Sequence, residues 1–216
     1  MPRYVGRENV RKRLAALADG RAVYEGGAVR IETPEETITV RPPFGLEHTG
    51  SYERLELGPL FEALEAEHVV AVLLVRLGGY AVGVFEGERL VASKVGSRFV
   101  KGRHKKGGSS ASRFRRRREE QARELVEAAA ETAVRVLEPY RERIEFVALG
   151  GDRRAVDAVL EESRLDWLRE RALERFFTVG EPRLRELERL PYDLYAAELR
   201  IEPGPPSADR PGSEEG

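Results

Sequence analysis

The sequence contains no cysteine and three histidines, His48, His68 and His104, which stand far apart. Disulfides and thiolate metal sites are excluded, and the histidines lack the spacing with which imidazoles share an ion. No metal and no other cofactor is therefore expected. Long apolar runs are also missing: nothing approaches the ~18 to 20 residues of a membrane span, and the opening MPRYVGRENVRKRL has no apolar signal core. The expectation is a cytoplasmic protein that does not engage a membrane. What the chain does have is 41% hydrophobic residues in a length of 216, enough to bury a core in one domain with appendages or in two small ones.

A formal net charge of −1 conceals a strong asymmetry. Lys94 to Arg118 carries eleven of the 37 basic residues and no Asp or Glu, so the remainder holds 26 basic against 38 acidic side chains. Local positive charge on an otherwise acidic body is what holding a polyanion by one face requires. Nucleic acid is the leading partner. The bias of 32 Arg to 5 Lys is also what genome composition or a hot habitat produces, and the basic run then reads as a solvated loop.

Along the chain, Val10, Leu14 and Leu17 fall at helical spacing in GRENVRKRLAALAD. RAVYE, GAVRIET and EETITVRP then read as an antiparallel meander, and the segment from Arg41 to Gly58 as an irregular connector. Residues 1–56 are thus expected to form a small helix plus meander. A helix opened by Pro59 follows, then valine-rich strands HVVAVLLVRL, YAVGVFEG, ERLVASKVG and RFVKGRH, whose short glycine links imply antiparallel neighbours. A long helix is expected from Ser112 to Tyr140, with Phe114, Leu125, Val126, Ala129, Ala133 and Leu137 on one stripe and Pro139 at its end. After it, RIEFVALGG reads as a buried strand, DRRAVDAVLEE as a helix capped by Asp152, LERFFTVG as a strand, EPRLRELERL as a helix and YDLYAAELRI as the last strand. This alternation predicts an α/β (α+β) domain over 57–202 with a mixed sheet flanked by helices, and a disordered Pro/Gly/Ser-rich tail at 203–216.

The connection VKGRHKKGGSSASRFRRRREEQ lies between the fourth core strand and the long helix. Gly107 and Gly108 permit close backbone approach, and Ser109, Ser110 or Ser112 can cap the helix. Arg115 to Arg118 then occupy its first turns, where cations oppose the helix dipole, and Arg115 with Glu119 or Arg116 with Glu120 would pair in the weaker order. A phosphate arriving at this end reverses the penalty. HKKGGSSAS lacks the spacing of a nucleoside-triphosphate loop. ALGGDRR resembles a phosphate-binding turn, against which Asp152 as an ordinary N-cap is the stronger reading. His104 belongs with the polar patch, and Trp167, Phe176, Phe177 and Tyr195 read as core.

The run VKGRHKKGGSSASRFRRRREEQARELVEAAAETAVRVLEPY, followed by FVALGGDRRAVDAVLEESRLDWL, resembles the actinobacterial branch of the release-factor-like peptidyl-tRNA hydrolases. These are related to the catalytic domain of eukaryotic and archaeal release factors and to the hydrolase that frees nascent chains from stalled large subunits. The resemblance spans Val69 to Ile201 and is most specific where the glycine loop enters a helix bearing Phe114, Arg116 to Arg118 and Gln121. It implies a ribonuclease H-like, release-factor catalytic fold. The implied partners are the ribosome, through large-subunit rRNA, and peptidyl-tRNA, with no DNA.

It also implies roles. Main-chain donors around Gly107, Gly108, Ser109, Ser110, Ala111 and Ser112 would orient water and stabilise an oxyanion at the peptidyl ester, while Lys101, Arg103, His104, Lys105, Lys106, Arg113, Arg115, Arg116, Arg117 and Arg118 would bind RNA. The family's loop glutamine, counted three residues after a glycine, falls on Ser110 or Ala111, and the chain's single glutamine is Gln121. Three activities stay open: ester hydrolysis supported by loop backbone and serines, ribosome binding without hydrolysis, and cleavage of the tRNA backbone near its 3′ end.

Overall fold

The computed structural model describes residues 3–97 and 111–204, and for 111–115 the backbone alone. The elements in chain order are β1 (Arg3–Gly6), α1 (Arg7–Ala15), β2 (Arg21–Glu25), β3 (Ala28–Glu32), β4 (Glu36–Arg41), β5 (Gly50–Tyr52), α2 (Gly58–Glu65), β6 (Val69–Arg76), β7 (Gly79–Glu86) and β8 (Arg89–Ser97). Then come α3 (Ala111–Leu137), β9 (Phe146–Gly151), α4 (Arg153–Val159), α5 (Trp167–Glu170), β10 (Ala172–Phe177), α6 (Leu184–Leu194) and β11 (Ala196–Pro203). They pack as two units, Met1–Ala66 with Tyr192–Gly216 and Glu67–Pro191. The division falls inside α6 after Pro191, whose missing N–H interrupts the helical hydrogen bonds there.

The first unit is an antiparallel sheet in the order β1-β11-β4-β3-β2-β5. The expected meander is its centre. Gly26 and Gly27, at φ 58° and 74°, supply the two positive-φ positions that a tight β2–β3 hairpin needs. One face buries Val29, Ile31, Ile38 and Val40 against Val10 and Leu14 of α1 and Leu60 and Leu64 of α2. Two features differ from the sequence reading. The connector contains β5, too short to show alternation, whose Tyr52 hydroxyl lies 2.9 Å from His48 Nε2. The closing strand belongs here and not with the mixed sheet: β11 pairs with β1 and β4. Its half-alternating pattern, with Ala197 and Leu199 in this core and Arg200 exposed, suits a sheet buried on one face.

The second unit is a mixed sheet in the order β10-β9-β6-β7-β8. β10, β9 and β6 run parallel, and β6, β7 and β8 are antiparallel, as their short links predict. Alternate residues separate its two faces. Ala71, Leu73, Val75, Tyr80, Val82 and Val84 pack with Leu125, Ala129, Ala133 and Leu137 of α3 and Val156 and Val159 of α4. On the other face, a Cβ at Gly83 would lie 3.5 Å from Leu187 of α6. Burial on both faces explains why β6 reads as an unbroken apolar run. The long helix ends at Leu137 and not at the expected Tyr140, because Pro139 turns Glu138–Tyr140 into a 3₁₀ turn. The fourth core strand expected at Arg98 to His104 lies outside the described residues, as does the tail from 205 onward.

Candidate functional site

The geometry of the site follows from where α3 begins and ends. Its C-terminal end leads into β9 at the edge of the mixed sheet where β6 starts, because Glu145 N–H donates to the Val69 carbonyl at 2.9 Å. Its start therefore lies toward the opposite edge, where β6 ends, β7 begins and β8 terminates: Arg76 pairs with Gly79, and Gly79 with Ser97. β8 ends at this second edge, and Ser97 is the last described residue before the basic connection. Going back along α3, Leu125 is the first side chain fully in the core, and none of Arg116 to Glu124 is buried. From Leu125 to Ala111 a helix climbs about 21 Å at ~1.5 Å per residue. The start of α3 thus carries its arginines well clear of the apolar core.

Arg116 and Arg117 are exposed and Arg118 is half-buried. Among the described residues none of the three makes an ion pair, and the Arg116 to Glu120 contact that the i, i+4 spacing permits does not form. Arg118 precedes Leu125 by two turns and so continues the core-facing stripe of the helix beyond the end of the core. Further along, the outer face turns acidic. A hollow of about 460 Å³ is bordered there by Arg116, Glu119, Glu120, Arg123, Glu124 and Glu127, two cations against four carboxylates. Attraction for an anion is consequently confined to the first turns.

β8 and α3, which flank the connection in sequence, are tied together. The Tyr80 hydroxyl lies 3.0 Å from Thr132 Oγ1 of α3, and both groups are buried. The Tyr80 ring also covers Gly96 of β8 so closely that a Cβ there would sit 2.2 Å from it. One side chain therefore fixes the end of β8 to α3. At the neighbouring strand end, Gly151 has φ 105° and a Cβ would meet the Val75 carbonyl oxygen at 2.2 Å, so only glycine closes this turn. Asp152 follows as an N-cap, its Oδ1 accepting from Ala155 N–H at 3.2 Å. This agrees with the capping reading of ALGGDRR.

Gly107, Gly108, Ser109, Ser110, Lys101, Arg103, His104, Lys105 and Lys106 lie outside the described residues. Ala111, Ser112, Arg113 and Arg115 are described as backbone at the start of α3, and only Arg116, Arg117 and Arg118 as side chains. Gln121 is half-buried, ten residues into the helix. The other histidines sit apart: His48 beside Tyr24 and Tyr52, and His68 with its Nδ1 2.8 Å from a Glu145 oxygen. Among the described residues no group of three metal-ligating side chains converges, and no helix is long and apolar enough to cross a membrane.

The family described as Actinobacteria/chloroflexi VLRF1 release factor matches residues 68–200. Peptide chain release factor subunit 1 of Archaeoglobus fulgidus is 29% identical over 131 residues, 58% of this chain and 32% of that protein, so the chain spans about a third of the curated relative. Among solved structures, an archaeal translation termination factor, aRF1, superposes with a TM-score of 0.44 at 19% identity, over 87% of this chain and 54% of that one. The Vms1 mitochondrial localization core gives 0.45 at 13% identity, over 91% and 82%.

Proposed function

The chain belongs to the Actinobacteria/chloroflexi VLRF1 release factor family, and from that premise we propose that it acts on the ribosome as a release or rescue factor that hydrolyses peptidyl-tRNA. The observation that carries this reading is the start of α3, which presents Arg116, Arg117 and Arg118 without carboxylate partners beside the connection at 98–110. Among the described residues these guanidinium groups have no carboxylate partner to be displaced, so they can pair with an external anion. RNA phosphate supplies one, and guanidinium groups suit it.

In the reaction, water attacks the carbonyl carbon of the ester and gives up a proton. The bond from that carbon to the terminal ribose oxygen breaks, the ribose oxygen is protonated, and a peptide carboxylic acid and deacylated tRNA leave. Negative charge builds on the carbonyl oxygen as the tetrahedral intermediate forms. Main-chain N–H groups between Gly107 and Ser112 are suited to receive it, with Ser109, Ser110 and Ser112 available to orient the water. Lys101, Arg103, His104, Lys105, Lys106, Arg113 and Arg115 to Arg118 would hold rRNA and the tRNA acceptor end against the site.

A second reading is favoured by the lack of glutamine at Ser110 and Ala111: binding in the tRNA site without cleavage. The experiment that separates them supplies purified protein to stalled ribosomes and to split large subunits carrying a labelled nascent chain. Freed peptide with full-length tRNA is the expected product. Binding without release establishes the second reading, and gain of release on placing glutamine at Ser110 or Ala111 reinforces it. Shortened tRNA would show backbone cleavage instead.

A further inference from the structure

With RNA proposed at the start of α3, a second set of arginines lies on the same edge of the mixed sheet. Arg76 ends β6, and Arg153 and Arg154 open α4 immediately after β9. All three are exposed. The Arg153 guanidinium lies 4.3 Å above the Phe176 ring, and Arg76 Nη1 donates to the Val179 carbonyl at 2.8 Å. Arg153 is therefore held in place by a ring and Arg76 by a carbonyl, neither with its charge neutralised. Among the described residues none of the three pairs with a carboxylate; the adjoining acid is Asp152, whose Oδ1 is engaged by Ala155 N–H.

We propose that Arg76, Arg153 and Arg154 form a second RNA-phosphate contact, which extends the α3 site across the edge of the sheet. The strand order separates Gly151 from the end of β8 by β6 and β7, three inter-strand steps of about 4.8 Å or roughly 14 Å. An RNA strand lying along this edge of the sheet would cross this row before reaching the arginines of α3. Guanidinium groups held by stacking lose less freedom on binding phosphate than free side chains do. The inference rests on the release-factor reading, because it takes RNA as the ligand. It adds residues that lie outside the basic run, where the overall charge is acidic.

The test measures binding to purified large ribosomal subunits, and to an RNA hairpin with a single-stranded 3′ end, as a function of salt. Four forms are compared: the parent, R153E/R154E, R116A/R117A/R118A, and the control R89Q/R143Q at the opposite edge. The rim variant is expected to bind at least about tenfold more weakly than the parent at low salt. Its slope of log affinity against log salt should be shallower by about 0.7 to 0.9 per lost phosphate contact, with an unchanged unfolding transition. R153Q/R154Q, which removes the charge without reversing it, should show a smaller loss in the same direction. If the parent and control bind, the α3 variant weakens and the rim variants match the parent, the second contact is refuted while the function stands. If the parent binds neither probe, both fall.

Discussion

At the edge where β6 begins, Glu86 accepts from both Arg89 and Arg143, Glu145 accepts from His68 and from Val69 N–H, and Arg171 donates to the carbonyls of Arg141 and Ile144. At the other edge, Arg76, Arg153 and Arg154 point outward with no carboxylate partner, and Arg116 to Arg118 stand beyond them. Composition alone does not distinguish these arginines. Their partners do: at the first edge the charge serves the fold, and at the second it is left for something outside the chain.

The largest effect expected on this contrast is at the backbone of the second edge. Gly151→Val forces a side chain into φ 105° and against the Val75 carbonyl. It should destabilise the protein by on the order of 4 kcal/mol in denaturant unfolding. Gly78→Ala, at φ 109° in a turn with nothing within 4 Å, should cost only about 1 to 2 kcal/mol. Equal losses would mean that the strand ends there are not closely packed. Tyr80→Phe comes next: it leaves Thr132 Oγ1 buried without its partner, for about 1 to 3 kcal/mol. Because it loosens β8 from α3, it should also slow peptide release more than it weakens ribosome binding.

At the first edge, Glu86→Gln removes an acceptor for two exposed arginines and should cost about 0.2 to 1 kcal/mol. The smallest effect is on pH dependence. Burial tends to raise the Glu145 carboxyl, but hydrogen bonds from His68 and Val69 N–H outweigh it and hold the group below its ordinary range. A carboxyl depressed in the fold stabilises above its unfolded pKa and loses that contribution as pH falls through the folded value. Acid unfolding of Glu145→Gln should accordingly show a shallower dependence on pH at the low end of the carboxylate range than the parent.

Local patterning made much of the fold legible. The apolar runs and glycine turns of β6 and β7, the stripe from Leu125 to Leu137 and the Asp152 cap are each set by residues close in sequence. Sheet membership is not local: β11 follows a helix at the end of the alternating region, yet its partners are β1 and β4, far away in the chain. β5 offered three residues and no period. The basic run marks the candidate site by its charge density. DRR reads as an ordinary helix opening, and what sets Arg153 and Arg154 apart, the Phe176 ring under Arg153 and the lack of an ion pair for either among the described residues, depends on groups distant in sequence. Conversely, nothing near Arg143 in sequence reveals that Glu86 neutralises it.

The measurement that bears most directly on the account is the salt dependence of ribosome binding by R116A/R117A/R118A beside R89Q/R143Q. The account predicts that the first variant loses about tenfold or more in affinity and two or three units of salt slope, roughly 0.9 per phosphate, while the second matches the parent. Equal behaviour of the two variants, or stronger dependence on Arg89 and Arg143, would contradict it.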